Sequence, residues 1–301
     1  VADSFLLLHA DPKAEGLKLP LSSLAAVVYQ LPADRHRRDL LLDRVAAAKG
    51  ETDRLLLVNG DEVAGTVQAI DEEKIRLITD VGPVDVDSFR TRAVIFNPAL
   101  RRPAKPDGLH AWAGFRDGAC LLVSTLTVGE KSLGATLPSG IRLEAKPADL
   151  VLLQPLGGRV DYLSDRKPDG YRHVPFFELP WPYRRDRNVT GGRLRGGGSL
   201  YLKGLGVHSA ARLMFKLDGS YRRFEAAAAV DDSTDSRGSV RFRVFVDGRQ
   251  QFSSGPVRGG DAPRPLSVDV AGAKQLDLVV DYAERGDELD HADWLDARLT
   301  R

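Results

Sequence analysis

The segment Asp287–Trp294, reading DELDHADW, gathers more proton-transfer chemistry than any other short stretch of the chain. Carboxylates beside an imidazole can do general acid–base work, one group taking a proton while another gives one. On a strand, Asp290, Ala292 and Trp294 share one face, and His291, Asp293 and Leu295 share the other. A His-x-Asp pair on one strand face is also a common way of orienting an imidazole through a structural hydrogen bond. Trp294 in the same run reads as core. Asp290, His291, Asp293 and Trp294 are therefore expected to be structural or to line a site, with catalysis the weaker alternative.

Three other groups could bind a ligand. Trp181 and Tyr183 lie in a Pro-rich, loop-like segment, with Arg184, Arg185 and Asp186 close behind. An aromatic pair in a loop can stack on the apolar face of a pyranose while neighbouring polar groups fix its hydroxyls. The alternative is that Trp181 plugs a junction between domains. His208 follows Gly204-Leu205-Gly206-Val207 and precedes a strand. It points into a loop pocket or is a hydrogen-bonded core histidine. Asp231, Asp232 and Asp235 form an acidic loop after a strand. Their spacing is not that of an EF-hand, and an exposed polar turn is an equal alternative.

Several function classes find no support. The chain has no nucleophile elbow, HExxH motif or P-loop, and its glycine clusters lack the strand-then-helix context of a dinucleotide site. With 43 basic against 42 acidic side chains, it offers no electrostatic footprint for nucleic acid or an anionic membrane. No apolar run approaches the roughly 18 residues of a membrane span. Cys120 is the only cysteine, which rules out an internal disulfide. The sequence opens Val1-Ala2-Asp3, so a leader or a longer N-terminal part is expected to have preceded it.

The elements that position these residues are nearly all strands, since short apolar runs separated by Gly, Asp and Pro recur at strand spacing. The exception is 34–50, where Asp34 suits an N-cap, Leu41, Leu42, Val45 and Ala48 lie near one helical face, and Gly50 suits a stop. The first half repeats itself. Leu17–Tyr29, Val84–Phe96 and Ile141–Leu153 share the same spacing from first to last apolar residue. Each follows a glycine and leads into Gln or Asn and then a proline. Asn59-Gly60 and Asp117-Gly118 are hairpin dipeptides ahead of the second and third copies. Such units resemble small SH3-like or Sm-like barrels, the first copy lacking its opening hairpin. RNA binding, known among such barrels, wants exposed aromatics and a basic groove that are sparse here. Pro98–His110 reads as an extended linker.

In the second half Val240, Phe242, Val244 and Val246 alternate with Arg241, Arg243 and Phe245 before an Asp247-Gly248 hairpin turn. Leu266, Val268 and Val270 alternate likewise, and after Gly272 so do Leu276, Leu278 and Val280. About eight such strands predict an antiparallel jelly-roll sandwich. Several stretches, in order, carry a family resemblance: GLGVHS at Gly204–Ser209, LDGSYRRFEA at Leu217–Ala226, VDD at Val230–Asp232, VDVAGAKQL at Val268–Leu276 and DHADWLDARL at Asp290–Leu299. They closely resemble the NPCBM family of carbohydrate-binding-type modules found beside family-98 glycoside hydrolases. Ala227-Ala228-Ala229 departs from the family, which usually has a glycine there.

The resemblance implies a galactose-binding-like β-sandwich, a glycan ligand and a bound calcium ion, for which Asp231, Asp232 and Asp235 are the candidates. The sugar-site candidates are Trp181, Tyr183, Arg185, Asp186 and His208. The expected organisation is all-β: a partial barrel repeat at 1–33, a helix at 34–50, small barrels at 51–100 and 111–164, and the sandwich at 165–301. The expected function is non-catalytic recognition of galactose-type glycans, in a secreted or periplasmic protein. The barrel repeats would serve as spacers or dock other proteins, with no nucleic-acid or membrane partner. The alternatives are a structural or protein-interaction role without a sugar site and, less favoured, an accessory subunit of a glycoside hydrolase.

Overall fold

A computed structural model describes residues 5–8, 17–102, 107–116, 118–176, 180–284 and 286–301, with backbone alone at 5–8 and 17–20. The chain divides into two compact units, Val1–Lys105 and Pro106–Arg301. No helix among the described residues is long and apolar enough to cross a membrane.

In the first unit, β1 (Phe5–Leu8) pairs with β2 (Leu17–Pro20). The strands β3 (Ala26–Val28), β4 (Asp53–Leu57), β5 (Glu62–Ile70), β6 (Lys74–Thr79), β7 (Gly82–Asp87) and β8 (Thr91–Ile95) form one antiparallel sheet, ordered β3-β8-β4-β5-β6-β7. Helix α1 spans Arg35–Ala46. The Asp34 side chain accepts from the Arg37 amide, as an N-cap should. The expected stop at Gly50 is not used: Ala47 caps the helix, its amide bonding back to the Asp43 carbonyl and the next amide, of Ala48, to that of Val45. Adjacent residues of β4 point to opposite faces, so Leu56 packs with Leu41 and Val45 of α1 while Leu55 packs with Ile75, Leu77 and Phe96. Of the expected linker, 98–100 is a 3-10 turn and His110 already belongs to a strand; 103–106 lie outside the described residues.

The second unit begins with two three-stranded sheets. The strands β9 (His110–Phe115), β10 (Cys120–Val123) and β14 (Leu150–Leu156) order as β10-β9-β14. The strands β11 (Thr125–Val128), β12 (Leu133–Thr136) and β13 (Arg142–Ala145) pair in sequence. A 3-10 turn joins β2 toward β3, β7 to β8 and β13 to β14, so strand–turn–strand occurs three times, at the three segments whose sequences match.

The rest is an antiparallel β-sandwich. One sheet takes β17 (Arg184–Arg185), β20 (Gly204–His208), β27 (His291–Thr300), β22 (Arg223–Val230) and β25 (Arg264–Asp269) in that order, and β15 (Val160–Tyr162) also pairs with β27. The other sheet is β16 (Gly170–His173), β21 (Ala211–Lys216), β26 (Gln275–Tyr282), β23 (Ser239–Val246) and β24 (Arg249–Arg258). A hairpin, β18 (Leu194–Gly196) and β19 (Ser199–Tyr201), completes it. The alternation expected for β23 is present, with Val240, Phe242 and Val244 fully buried. Asp247 and Gly248 both take positive φ, as the two central residues of a type I′ turn must. Trp294 bridges the sheets, meeting Phe242 of the facing sheet edge-on at 4.9 Å and Phe224 of its own at 6.3 Å.

Candidate functional site

Three histidines converge where strands of both sheets end. His173 closes β16, His208 closes β20, and His291 opens β27 in register with His208. The rings of His173 and His291 lie 6.0 and 5.8 Å from His208. Trp181, from the connection between β16 and β17, stacks flat on His208 at 4.9 Å and 7°. It also leans on His291 at 5.9 Å.

Hydrogen bonds fix this arrangement. The Trp181 amide donates to Nδ1 of His173, at 3.2 Å, so Nε2 carries the proton and donates to the Ser209 carbonyl at 2.9 Å. His208 donates from Nδ1 to the same carbonyl at 2.8 Å, which leaves its Nε2 an acceptor without a partner among the described residues. Nδ1 of His291 is buried and likewise unpartnered. Tyr171 donates to the Trp181 carbonyl at 2.5 Å and packs on Tyr183 at 5.1 Å. Burial pushes the Tyr171 hydroxyl up to about 12.

Charge is scarce here and held in check. Burial lowers the pKa of His208, and His173 adds to the effect against opposing pulls from the Ser209 carbonyl and Asp287. Burial and then His208 lower that of His291, against the pull of Asp231. Asp290 accepts from the Ser209 hydroxyl at 2.7 Å and the Ser239 amide at 2.8 Å. Burial still raises it to about 6, because those two donors offset the lost solvation only in part. The two imidazoles are therefore neutral at pH 7 and stand against an aromatic wall, with the Asp290 carboxylate engaged by Ser209 and Ser239. Such a site suits a neutral, hydroxyl-rich ligand with an apolar face better than an ion.

The structure brings Trp181, Tyr183 and His208 to one end of the sandwich but separates Arg185 and Asp186 from them. Arg185 is exposed and pairs with Leu205, three rungs from His208. Asp186 accepts from Lys203 at 2.8 Å and from the Gly204 amide at 3.1 Å. Burial works against the Lys203 ammonium, yet its bonds to Asp165 and Asp186 raise its pKa overall. These residues clamp the far end of β20, away from the Trp181–His208 end. Sequence reading missed His173 and Tyr171, which stand in ordinary strand positions and reach the site only because the two sheets pack.

A second polar cluster lies on the outer face of the six-stranded sheet. Asp293 is fully buried and neither of its carboxylate oxygens has a hydrogen-bond donor among the described residues. Burial and the neighbouring Asp231 carboxylate raise it well above the usual range. Asp231 accepts from Asn188 Nδ2 at 2.9 Å and from the amides of Ser233 and Arg195 at 3.0 Å. Asn188 crosses directly above Gly206, where a Cβ would come within 2.6 Å of its backbone, which explains the second glycine of GLGVH. Asp232 instead accepts from the Gly198 amide at 2.9 Å, and Asp235 is exposed in a left-handed turn, so the trio does not converge. Among the described residues no three His, Cys, Asp or Glu form a metal-holding group. Of the DELDHADW residues, Asp290, His291, Asp293 and Trp294 are all buried, Trp294 as core.

Comparison with known proteins follows the same division of the chain. Residues 159–300 match the model of the NPCBM/NEW2 domain. The alpha-1,3-galactosidase B of Akkermansia muciniphila is 35% identical over 117 residues, covering 38% of this chain and 15% of that enzyme. This chain thus spans less than a fifth of that relative's length. A solved CBM51 from Clostridium perfringens GH95, in complex with methyl-galactose, is 28% identical, covering 47% of this chain and 99% of that one, with a TM-score of 0.43. The CBM51-2 and INT domains of Clostridium perfringens ZmpB, with GlcNAc, are 26% identical over 60% of this chain and 40% of that one, with a TM-score of 0.44. The sandwich of this chain, over residues 159–300, is thus similar to the NPCBM/NEW2 domain.

Proposed function

We propose that the sandwich is a non-catalytic module that binds a galactose-type glycan at the Trp181–His208 end. The observation that carries this is the indole stacked on His208 beside two imidazole nitrogens, His208 Nε2 and His291 Nδ1, that have no partner among the described residues. An indole is a platform for the apolar face of a pyranose, and unpaired imidazole nitrogens are what sugar hydroxyls satisfy. The family match and the galactosidase relative support the sugar class. A catalytic reading finds little to build on, because Asp290 is tied to Ser209 and Ser239 and Asp293 is sealed from solvent.

The proposal extends to calcium held by Asp231 and Asp293. The ion would supply positive charge to a buried carboxylate that has no donor. The small strand units are spacers or docking modules in this reading, and the protein works outside the cytoplasm. Exposed Val151 and Leu153 on β14 favour a protein-contact role for those units.

A glycan-array screen of the full chain tests the assignment. Binding to galactose-type glycans is expected, and Trp181→Ala should weaken it by about 2 kcal/mol or more, the scale of a lost aromatic anchor. Retained affinity in a folded Trp181→Ala protein would remove the site from this end of the sandwich.

A further inference from the structure

The two sheets differ in what lies over their outer faces. On the six-stranded sheet, Leu194 and Tyr201 of the β18–β19 hairpin pack against Leu295 and Ala229. The outer face of the five-stranded sheet remains open: Arg172, Arg212 and Arg241 are exposed and Arg243 is half-buried. Register sets Arg172 opposite Arg212, Arg212 opposite Val279, and Val279 opposite Arg243. The guanidinium row crosses four strands, about 14 Å at ordinary strand spacing.

Two carboxylates share this face, against four arginines. Asp277 is fully buried and accepts from Arg212 at 2.5 Å, and Asp281 pairs with Arg243. Each holds a guanidinium fork in place and balances its charge, which leaves Arg172 and Arg241 as the surplus. Arg172 and Arg241 have no hydrogen-bond or ion-pair partner among the described residues. Like charges directly opposite on neighbouring strands, as Arg172 and Arg212 are, cost stability. The excess of two cations on one face stands out in a chain whose formal net charge is +1.

We propose that this face binds an anionic glycan, a polysaccharide bearing sulfate or carboxylate groups, laid across β16, β21, β26 and β23. Guanidinium forks recognise planar or multi-oxygen anions through paired hydrogen bonds, and the buried Asp277 presets one of them. Half-buried Met214 and Phe245 stand beside the row, with Arg243 lying over the Phe245 ring at 5.5 Å. That gives sugar rings apolar ground between the charges. Single-stranded nucleic acid would want a series of exposed aromatics, which the face lacks. The choice of a glycan among polyanions rests on the carbohydrate-binding reading of the domain, although the residues are separate from the Trp181 site.

The full chain is passed at low salt over immobilised heparin, hyaluronan and neutral dextran. Retention on heparin and not on dextran is expected. Retention on hyaluronan as well means that carboxylates suffice, whereas heparin alone restricts the ligand to sulfate esters; both results support the face. The double variant Arg172→Ser/Arg241→Ser, with its thermal unfolding unchanged, should bind heparin roughly tenfold more weakly, the scale of two exposed ion pairs. The charge-matched control Arg35→Ser/Arg185→Ser should stay within about twofold of the parent by the same scale. No retention on either polyanion, an equal loss in the control, or tighter binding to a single-stranded oligonucleotide would overturn the proposal. Trp181→Ala should leave heparin retention intact. Heparin failure with galactose binding preserved therefore removes only this face, and the reverse result removes only the Trp181 site.

Discussion

The first unit and the sandwich bury very different things. Among the described residues of the first unit, Thr91 is the one buried polar side chain. The sandwich buries Lys203, His208, Asp231, Asp277, Asp290, His291 and Asp293. Taking an ionisable group out of water costs several kcal/mol unless it is neutralised or well bonded. Each apolar cluster of the first unit has five buried residues, whereas the sandwich core joins both sheets through Trp294, Phe215, Phe224 and Phe242. A core of that size tolerates costly polar groups, and function collects where the surplus is.

Trp294 offers the harshest test of that contrast. Trp294→Ala should cost about 3–5 kcal/mol through lost burial and the cavity left between the sheets. Denaturant unfolding should then show the sandwich melting well before the first unit, which keeps its parent midpoint. A common midpoint for both units would mean that their stabilities are not separate.

Asp293 comes next. Saturating calcium, at about 100 times its Kd, should stabilise the parent by about 2.7 kcal/mol. Asp293→Asn should lose that gain, yet without calcium it should be at least as stable as the parent, because an amide faces Asp231 without a second carboxyl to desolvate. A calcium-induced rise in Tm that persists in Asp293→Asn would place the ion elsewhere.

The pH response sharpens the comparison further. Asp290 titrates near 6 in the fold against an ordinary value of 3.8, so between those values the native protein holds a proton that the unfolded chain lacks. Its contribution therefore makes the protein more stable as pH falls from 6 toward 4. His208 and His291 act the other way. Their folded pKa values lie below 6.5, so the unfolded chain protonates first and stability falls as pH drops beneath that point. Asp290→Asn keeps an acceptor for the Ser239 amide and removes the compensating gain, on the order of 1–3 kcal/mol. Its Tm should fall more steeply than the parent's between pH 6.5 and 5, while parallel slopes would deny Asp290 this role.

The smallest effect belongs to the first unit. Asp34→Ala should cost about 1 kcal/mol, the worth of an N-cap. It should shift the midpoint of the first unit and leave glycan binding unchanged.

The alternation in β23, the Asp247-Gly248 turn, the Asp34 cap and the core position of Trp294 were all legible in the sequence, because each is set by residues within a few positions. The same local logic overran at Gly50, where the helix closes at Ala47 through backbone bonds from Ala47 to Asp43 and from Ala48 to Val45 that leave no separate mark in sequence. Nor did it show where Arg185 and Asp186 would stand. They sit beside Trp181 and Tyr183 in the chain, but a strand that pairs with β20 carries them toward Lys203 and away from His208.

By itself, then, the sequence determined an all-β chain, its repeating strand–turn–strand segments, and the residues of the C-terminal sandwich that mark its family. Periodicity and turn chemistry are short-range properties, so the order of residues suffices to express them. Tertiary structure alone decided that His173, Trp181, His208 and His291 form one site, and that Asp293 rather than Asp235 faces Asp231. These groups are brought together by strand register and by the packing of two sheets, and sequence separation carries no information about either.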